Sequence, residues 1–155
     1  MNSYEAALQK AADMGYRVIE NCHFQSDALG LISKHTIGLS DKLETSTEKR
    51  CVLVEEMAHG EISFSNILDM TEVQNRKEEL KARRRCHDDL IGPERLADAV
   101  RSGCQSLYEV AAFLDVTERL LIEAIVEYKS RYGLWLHLAD GDVIFFEPLA
   151  VYRNM

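Results

Sequence analysis

The chain has 155 residues, of which 46% are hydrophobic and 28% charged, and its formal net charge is -8. That length and composition suit a globular protein with a sizeable core, and no run approaches the roughly 18 apolar residues of a membrane span. The acidic balance argues against non-specific binding to nucleic acid or to an anionic membrane, since both need a basic face.

Met1-Asn2-Ser3-Tyr4-Glu5 lacks the basic-then-apolar pattern of a secretory signal, so a cytoplasmic protein is expected. Cys22, Cys51, Cys86 and Cys104 are widely spaced and form no C-x-x-C. In a reducing compartment they read as thiols, not as disulfides or a cysteine-based zinc site.

Residues 3–14 predict a helix with Leu8, Ala11, Ala12 and Met14 on its apolar side. Ser3 is the expected cap and Gly15 the stop. Residues 16–24 favour a strand around Tyr16, Val18 and Ile19. Residues 28–39 read as two short strands around Ser33-Lys34, which gives a small sheet near the N-terminus. His23 and His35 fall in or near these strands and carry no assigned role.

Thr45-Ser46-Thr47-Glu48 is a capping box, with Thr45 as cap and Glu48 three residues on. It opens a helix of about fifteen residues expected to end at His59-Gly60. Within it, Cys51, Val54 and Ala58 share one stripe. Glu55 and His59 are four apart and so lie one above the other. Glu56 is rotated from them by roughly 100°.

The order Glu55-Glu56-x-x-His59 is close to H-E-x-x-H, where two histidines bind zinc and the intervening glutamate is the general base. By that pattern Glu55 and His59 are ligands and Glu56 the base. The plainer alternative is a solvated pair of glutamates with a helix-terminal histidine, which gains from the macrodipole.

Residues 61–70 read as a loop or short strand passing over this site. The next helix is expected to begin near Thr71 or Asn75 and to run to Ile91. Its apolar stripe is thin: Ala82, Cys86 and Leu90. Glu79 extends the stripe, and a carboxylate there is costly unless it is paired or metal-bound. Glu79 is therefore the candidate third ligand, or else a partner of Arg83 at i+4. Glu78 is its neighbour, and His87 is a weaker ligand candidate. The basic run Lys81–Arg85 reads as a solvated face.

Gly92-Pro93 breaks the chain, and Pro93 opens a helix to about Arg101. Residues 106–117 give a short helix, a turn and a new cap. Residues 118–132 form a long helix with Leu120, Leu121, Ile125 and Tyr128 inward. The pair superficially looks like a helix-turn-helix, but Glu118, Glu123 and Glu127 would repel phosphates, so nucleic-acid binding is not expected. The tail reads as a hairpin around Asp140-Gly141. The expected domains are a core over residues 1–92 and a helical and hairpin extension over 93–155 packed on it.

Four stretches in this order resemble the ImmA/IrrE-type metallopeptidase family of phages and mobile elements. They are Glu48-Lys49-Arg50-Cys51-Val52-Leu53-Val54-Glu55-Glu56-Met57-Ala58-His59, Lys77-Glu78-Glu79-Leu80-Lys81-Ala82-Arg83, and Tyr108 to Thr117 followed by Phe146-Glu147-Pro148-Leu149. The resemblance covers most of the chain from about Leu29 onward. It implies an α+β fold: a mainly helical zincin-like core with a small N-terminal sheet and a C-terminal helical segment ending in a β-hairpin. It also implies a cytoplasmic metal-dependent endopeptidase acting on a protein partner, such as a repressor of the same element. Glu55, His59 and Glu79 would be the metal ligands and Glu56 the base.

Glu55 stands where the family's full motif has histidine. Zinc accepts carboxylate oxygen as readily as imidazole nitrogen. Two carboxylates, however, neutralise the ion fully and lessen its polarising power. A weaker peptidase follows, or a harder ion such as manganese or iron in place of zinc. The rival expectation is a family member without a tight metal site, acting as a protein-binding regulator. A di-iron centre would need the Glu-x-x-His pair on two separate helices, and only Glu56 and His59 fall in a predicted helix.

Overall fold

The computed structural model describes residues 1–63 and 72–154. Among them are six helices and two three-stranded sheets, an α+β arrangement dominated by helix. They divide into two compact units, Met1–Cys86 and His87–Met155.

The first unit opens with α1 (Ser3–Asp13). Its cap is Asn2, one residue before the expected Ser3. The Asn2 side chain accepts from Glu5 N at 2.7 Å, and the Glu5 carboxylate accepts from Asn2 N at 3.1 Å. The buried face is Tyr4, Ala7 and Ala11, while Ala12 and Met14 are exposed. Small alanines let this helix lie close on α2 (Ser46–Ser63).

The sheet of this unit is β1 (Arg17–Cys22), β2 (Gly30–Ser33) and β3 (Thr36–Ser40), in the order β1-β3-β2. The hairpin expected at 28–39 forms, and its turn places Lys34 at φ 56. β1 runs parallel to β3, a pairing that local patterning did not foretell. Ile37 and Leu39 of β3 are fully buried, as alternation in a sheet packed on one face requires. β2 pairs on one side only among the described residues.

The capping box at the start of α2 is present: Thr45 Oγ1 accepts from Glu48 N at 3.1 Å, and Glu48 Oε1 from Thr45 N at 3.2 Å. The helix does not stop at Gly60 but continues to Ser63. Gly60 is there for space, not for termination. A Cβ on it would lie 2.5 Å from Ile32 Cδ1 and 2.6 Å from Tyr16 Oη. The loop expected at 61–70 is thus helix over 61–63, and its remainder lies outside the described residues. Helix α3 (Glu72–Leu90) follows.

In the second unit, α4 (Pro93–Arg101) starts on Pro93, and α5 (Leu107–Leu114) is capped by Ser106. Asp115 ends α5 in the left-handed region, and Thr117 caps α6 (Glu118–Tyr132). Leu96, Leu114, Leu121, Tyr128, Ile144 and Phe146 form the core of this unit. The expected terminal hairpin is β4 (Trp135–His137) with β5 (Val143–Phe146), joined by a five-residue loop that holds Asp140-Gly141. A third strand, β6 (Leu149–Tyr152), extends it, so the tail is a small sheet. No helix among the described residues is long and apolar enough to cross a membrane.

All four cysteines are free thiols, with Cys51 and Cys86 buried.

Candidate functional site

Four side chains of the first unit gather on α2 and α3: Glu55, Glu56, His59 and Glu79. Helical spacing sets Glu55 below His59, and His59 Nε2 lies 3.9 Å from Glu55 Oε1. From the other helix, Glu79 Oε1 comes within 3.7 Å of His59 Nδ1. These separations are ion-pair contacts, longer than hydrogen bonds. The imidazole is partly buried, and the two carboxylates reach it from solvent at 54% and 62% side-chain exposure.

Glu79 arrives differently from its sequence expectation. The carboxylate on the buried stripe of α3, with Ala82 and Cys86, is Glu78, at 8% exposure. Glu79 is one residue round, at the edge of that stripe, and so faces His59 instead of the core. The expected position of His87 also changes. It is fully buried, and its Nδ1 donates to Glu127 Oε1 of the second unit at 3.1 Å. His87 is therefore withdrawn as a ligand candidate.

Glu56 projects toward the start of β2. A Cβ on Gly30 would stand 2.9 Å from Glu56 Cγ and 2.6 Å from Val52 Cγ1. Strand and helix can touch at this point only because residue 30 has no side chain. Gly30 is the one site residue that the motif did not single out. Its signal was present, since an isolated glycine inside a strand pattern marks a close backbone approach.

Burial raises the Glu56 carboxyl above its ordinary 4.5. The imidazole of His59 opposes this, and the charges of Glu55 and Glu79 add to it. His59 is raised above 6.5, first by the Glu55 carboxylate, against desolvation and with the charges of Glu79 and Glu56. The Glu56 shift reports mainly burial, and the His59 shift reports the carboxylates that stand around the imidazole. With His59 neutral, the foursome carries three negative charges.

That donor set suits a divalent cation. Carboxylate oxygens with an imidazole nitrogen match zinc, manganese or iron, and excess negative charge is what an ion would offset. The arrangement is not yet a coordination sphere. The two carboxylates approach opposite ring nitrogens, and among the described residues no three such side chains are set around one point. Both glutamates are half exposed and carry several torsions that can turn.

No protein-family model, curated protein or solved structure matches this chain.

Proposed function

We propose that the chain is a metal-dependent endopeptidase of the ImmA/IrrE type with a zincin-like core, acting on a protein partner such as a mobile-element repressor. The observation that carries this reading is the convergence of Glu55 and His59 from α2 with Glu79 from α3, next to a half-buried Glu56. Glu55, His59 and Glu79 would hold the ion: zinc, or manganese or iron in its place. When bound, such an ion supplies Lewis-acid chemistry, polarising a peptide carbonyl and making water more acidic.

Glu56 is the general base. It takes the proton of the attacking water and returns it to the leaving amine. Its raised pKa suits that double task, because a base works best with a pKa nearer the working pH. The side of β2 that no described strand pairs would give an extended peptide a place beside Glu56, with main-chain hydrogen bonds fixing its register. Gly30 leaves room for that approach.

The second reading is a protein-binding regulator without catalysis. What favours it is that the two carboxylates stand at opposite ring nitrogens of His59, so that among the described residues no three donors surround one point. Elemental analysis of the full chain purified without chelator separates the two. The peptidase reading expects one transition-metal ion per chain, and a Glu56→Gln variant that keeps the metal while losing cleavage by roughly 10²–10⁴-fold. Metal-free protein of full stability would establish the regulator. A Glu56→Gln variant cleaving at the parent rate would overturn the base assignment.

A further inference from the structure

The second unit carries an open apolar groove of about 410 Å³, lined chiefly by Leu107, Val110, Ile122, Val126, Phe146 and Pro148. Val110 and Phe146 are buried at 3% and 2% and form its floor, while Leu107, Ile122 and Val126 are exposed at 40%, 47% and 64%. α6 already buries Leu121, Ala124 and Tyr128 on its core face. A second apolar stripe, Ile122 and Val126 at i and i+4, is more than packing within the unit requires.

The charge around the groove restricts what can cover it. Residues 87–155 hold twelve Asp and Glu against six Lys and Arg, a net of -6 out of -8 for the whole chain. Glu118 lies four residues before Ile122, on the same stripe, at one end of the groove. Glu147 lines the groove with its charge offset by Lys129, which leaves Glu118 and Glu109, the neighbour of Val110 on α5, as the nearby acids. The nearby cations are already engaged: Arg119 pairs with Glu123 at 3.1 Å and Lys129 with Glu147.

An anionic membrane or a nucleic acid would meet repulsion here, and so would a second copy of the same acidic face. A partner helix with an apolar stripe and Lys or Arg on its flanks would meet apolar contact along the floor and opposite charge at the rim. We propose that this groove docks a cationic amphipathic helix of a protein partner. The assignment does not depend on the metal cluster of the first unit.

The test uses the full chain and two synthetic helical peptides with an identical Leu/Ile face, one flanked by Lys and Arg, the other by Glu. Binding is read by fluorescence anisotropy at low and high salt. The cationic peptide is expected to bind and to weaken with salt, and the acidic one not to bind. Val126→Gln is expected to weaken binding roughly tenfold or more. Because Val126 is largely exposed, its replacement leaves the core intact, and circular dichroism checks that. Glu118→Lys is expected to weaken the cationic peptide and to admit the acidic one.

Equal binding of both peptides, no binding of either, or a Val126→Gln chain that binds like the parent overturns the proposal. So does binding to anionic vesicles in preference to the cationic peptide, or concentration-dependent dimerisation that Val126→Gln abolishes.

Discussion

His59 and His87 each stand beside a glutamate, but their surroundings leave different charges over. His87 is sealed, at 1% exposure, against Glu127 at 6%. Arg131 completes the group. Its Nε donates to Glu127 Oε2 at 3.0 Å, and its Nη1 to Asp88 Oδ2 at 2.9 Å. Tyr128 Oη donates to Asp88 and accepts from Gly92 N at 3.1 Å. Burial alone would push the Glu127 carboxyl up. The hydrogen bonds from Arg131 and His87 outweigh it and hold the group below its usual range. Each buried Glu127 oxygen has a donor, and the Arg131 guanidinium bridges both carboxylates.

Around His59 there is no such closure. Three carboxylates meet one imidazole, contacts run at 3.7 and 3.9 Å, and two of the acids are half in water. A cluster that has satisfied itself holds a fold together. A cluster left short of positive charge is suited to receive it. The difference marks His87 as structural, and it is what the proposed chemistry at His59 rests on.

The largest test of that contrast is a pair of truncations. Glu127→Ala leaves Arg131 and His87 buried without their carboxylate, and should cost about 3–5 kcal/mol, as breaking a buried ion pair does. Glu55→Ala removes an exposed partner and should cost no more than about 1 kcal/mol in metal-free protein. Urea unfolding of the full chain, with hydrogen exchange in α6 and α2, measures both. Equal losses would dissolve the distinction. With metal present, Glu55→Ala should weaken ion binding by at least the roughly 10–100-fold that loss of a ligand's supporting partner brings.

A smaller effect is expected at Gly30. Its Cβ would fall 2.6 Å from the buried Val52 and 2.9 Å from Glu56 Cγ, so Gly30→Ala should cost about 1–3 kcal/mol through overpacking. It should also lower cleavage more than metal uptake, because the side chain displaced is the base and not a ligand. An unchanged unfolding midpoint would mean that β2 moves freely off α2.

These contrasts divide along what a linear sequence encodes. Spacing in one helix placed Glu55, Glu56 and His59 together, and the Thr45–Glu48 box placed the start of that helix, because both are local. The end was misjudged because Gly60 looks like a stop, whereas its reason is a tertiary contact with Tyr16 and Ile32. Glu79 was picked as a buried acid, yet Glu78 is the buried one. A stripe with so few apolar residues fixes rotation to about one position and no better. The Glu127 network is hidden for a related reason. In sequence Glu127 reads as one of three acids on α6, and its partner His87 is 40 residues away.

The smallest expected effect, and the one that separates the clusters without any substitution, is their response to pH. His59 is raised in the fold, so its contribution to metal-free stability is complete below 6.5 and is lost as pH rises through its higher folded value. Glu56 is raised as well, by burial. The folded state favours its protonated form, and that contribution also fades as pH rises past 4.5. Glu127 runs the other way. Its lowered value means stability that is present above 4.5 and is lost as acid brings the pH down through the folded value.

Hydrogen exchange on metal-free chain should therefore show α2 loosening as pH rises from 4.5 through and beyond 6.5 while α6 holds, and α6 loosening as pH falls below 4.5. Glu55→Gln removes the largest influence raising His59 and should flatten the α2 limb. A bound divalent ion should reverse that limb, since it requires His59 neutral and Glu55 ionised and is itself displaced by protons. If α2 stays equally protected across the range with and without metal, the three carboxylates are not coupled to His59, and the charge-deficit argument for a cation fails with them.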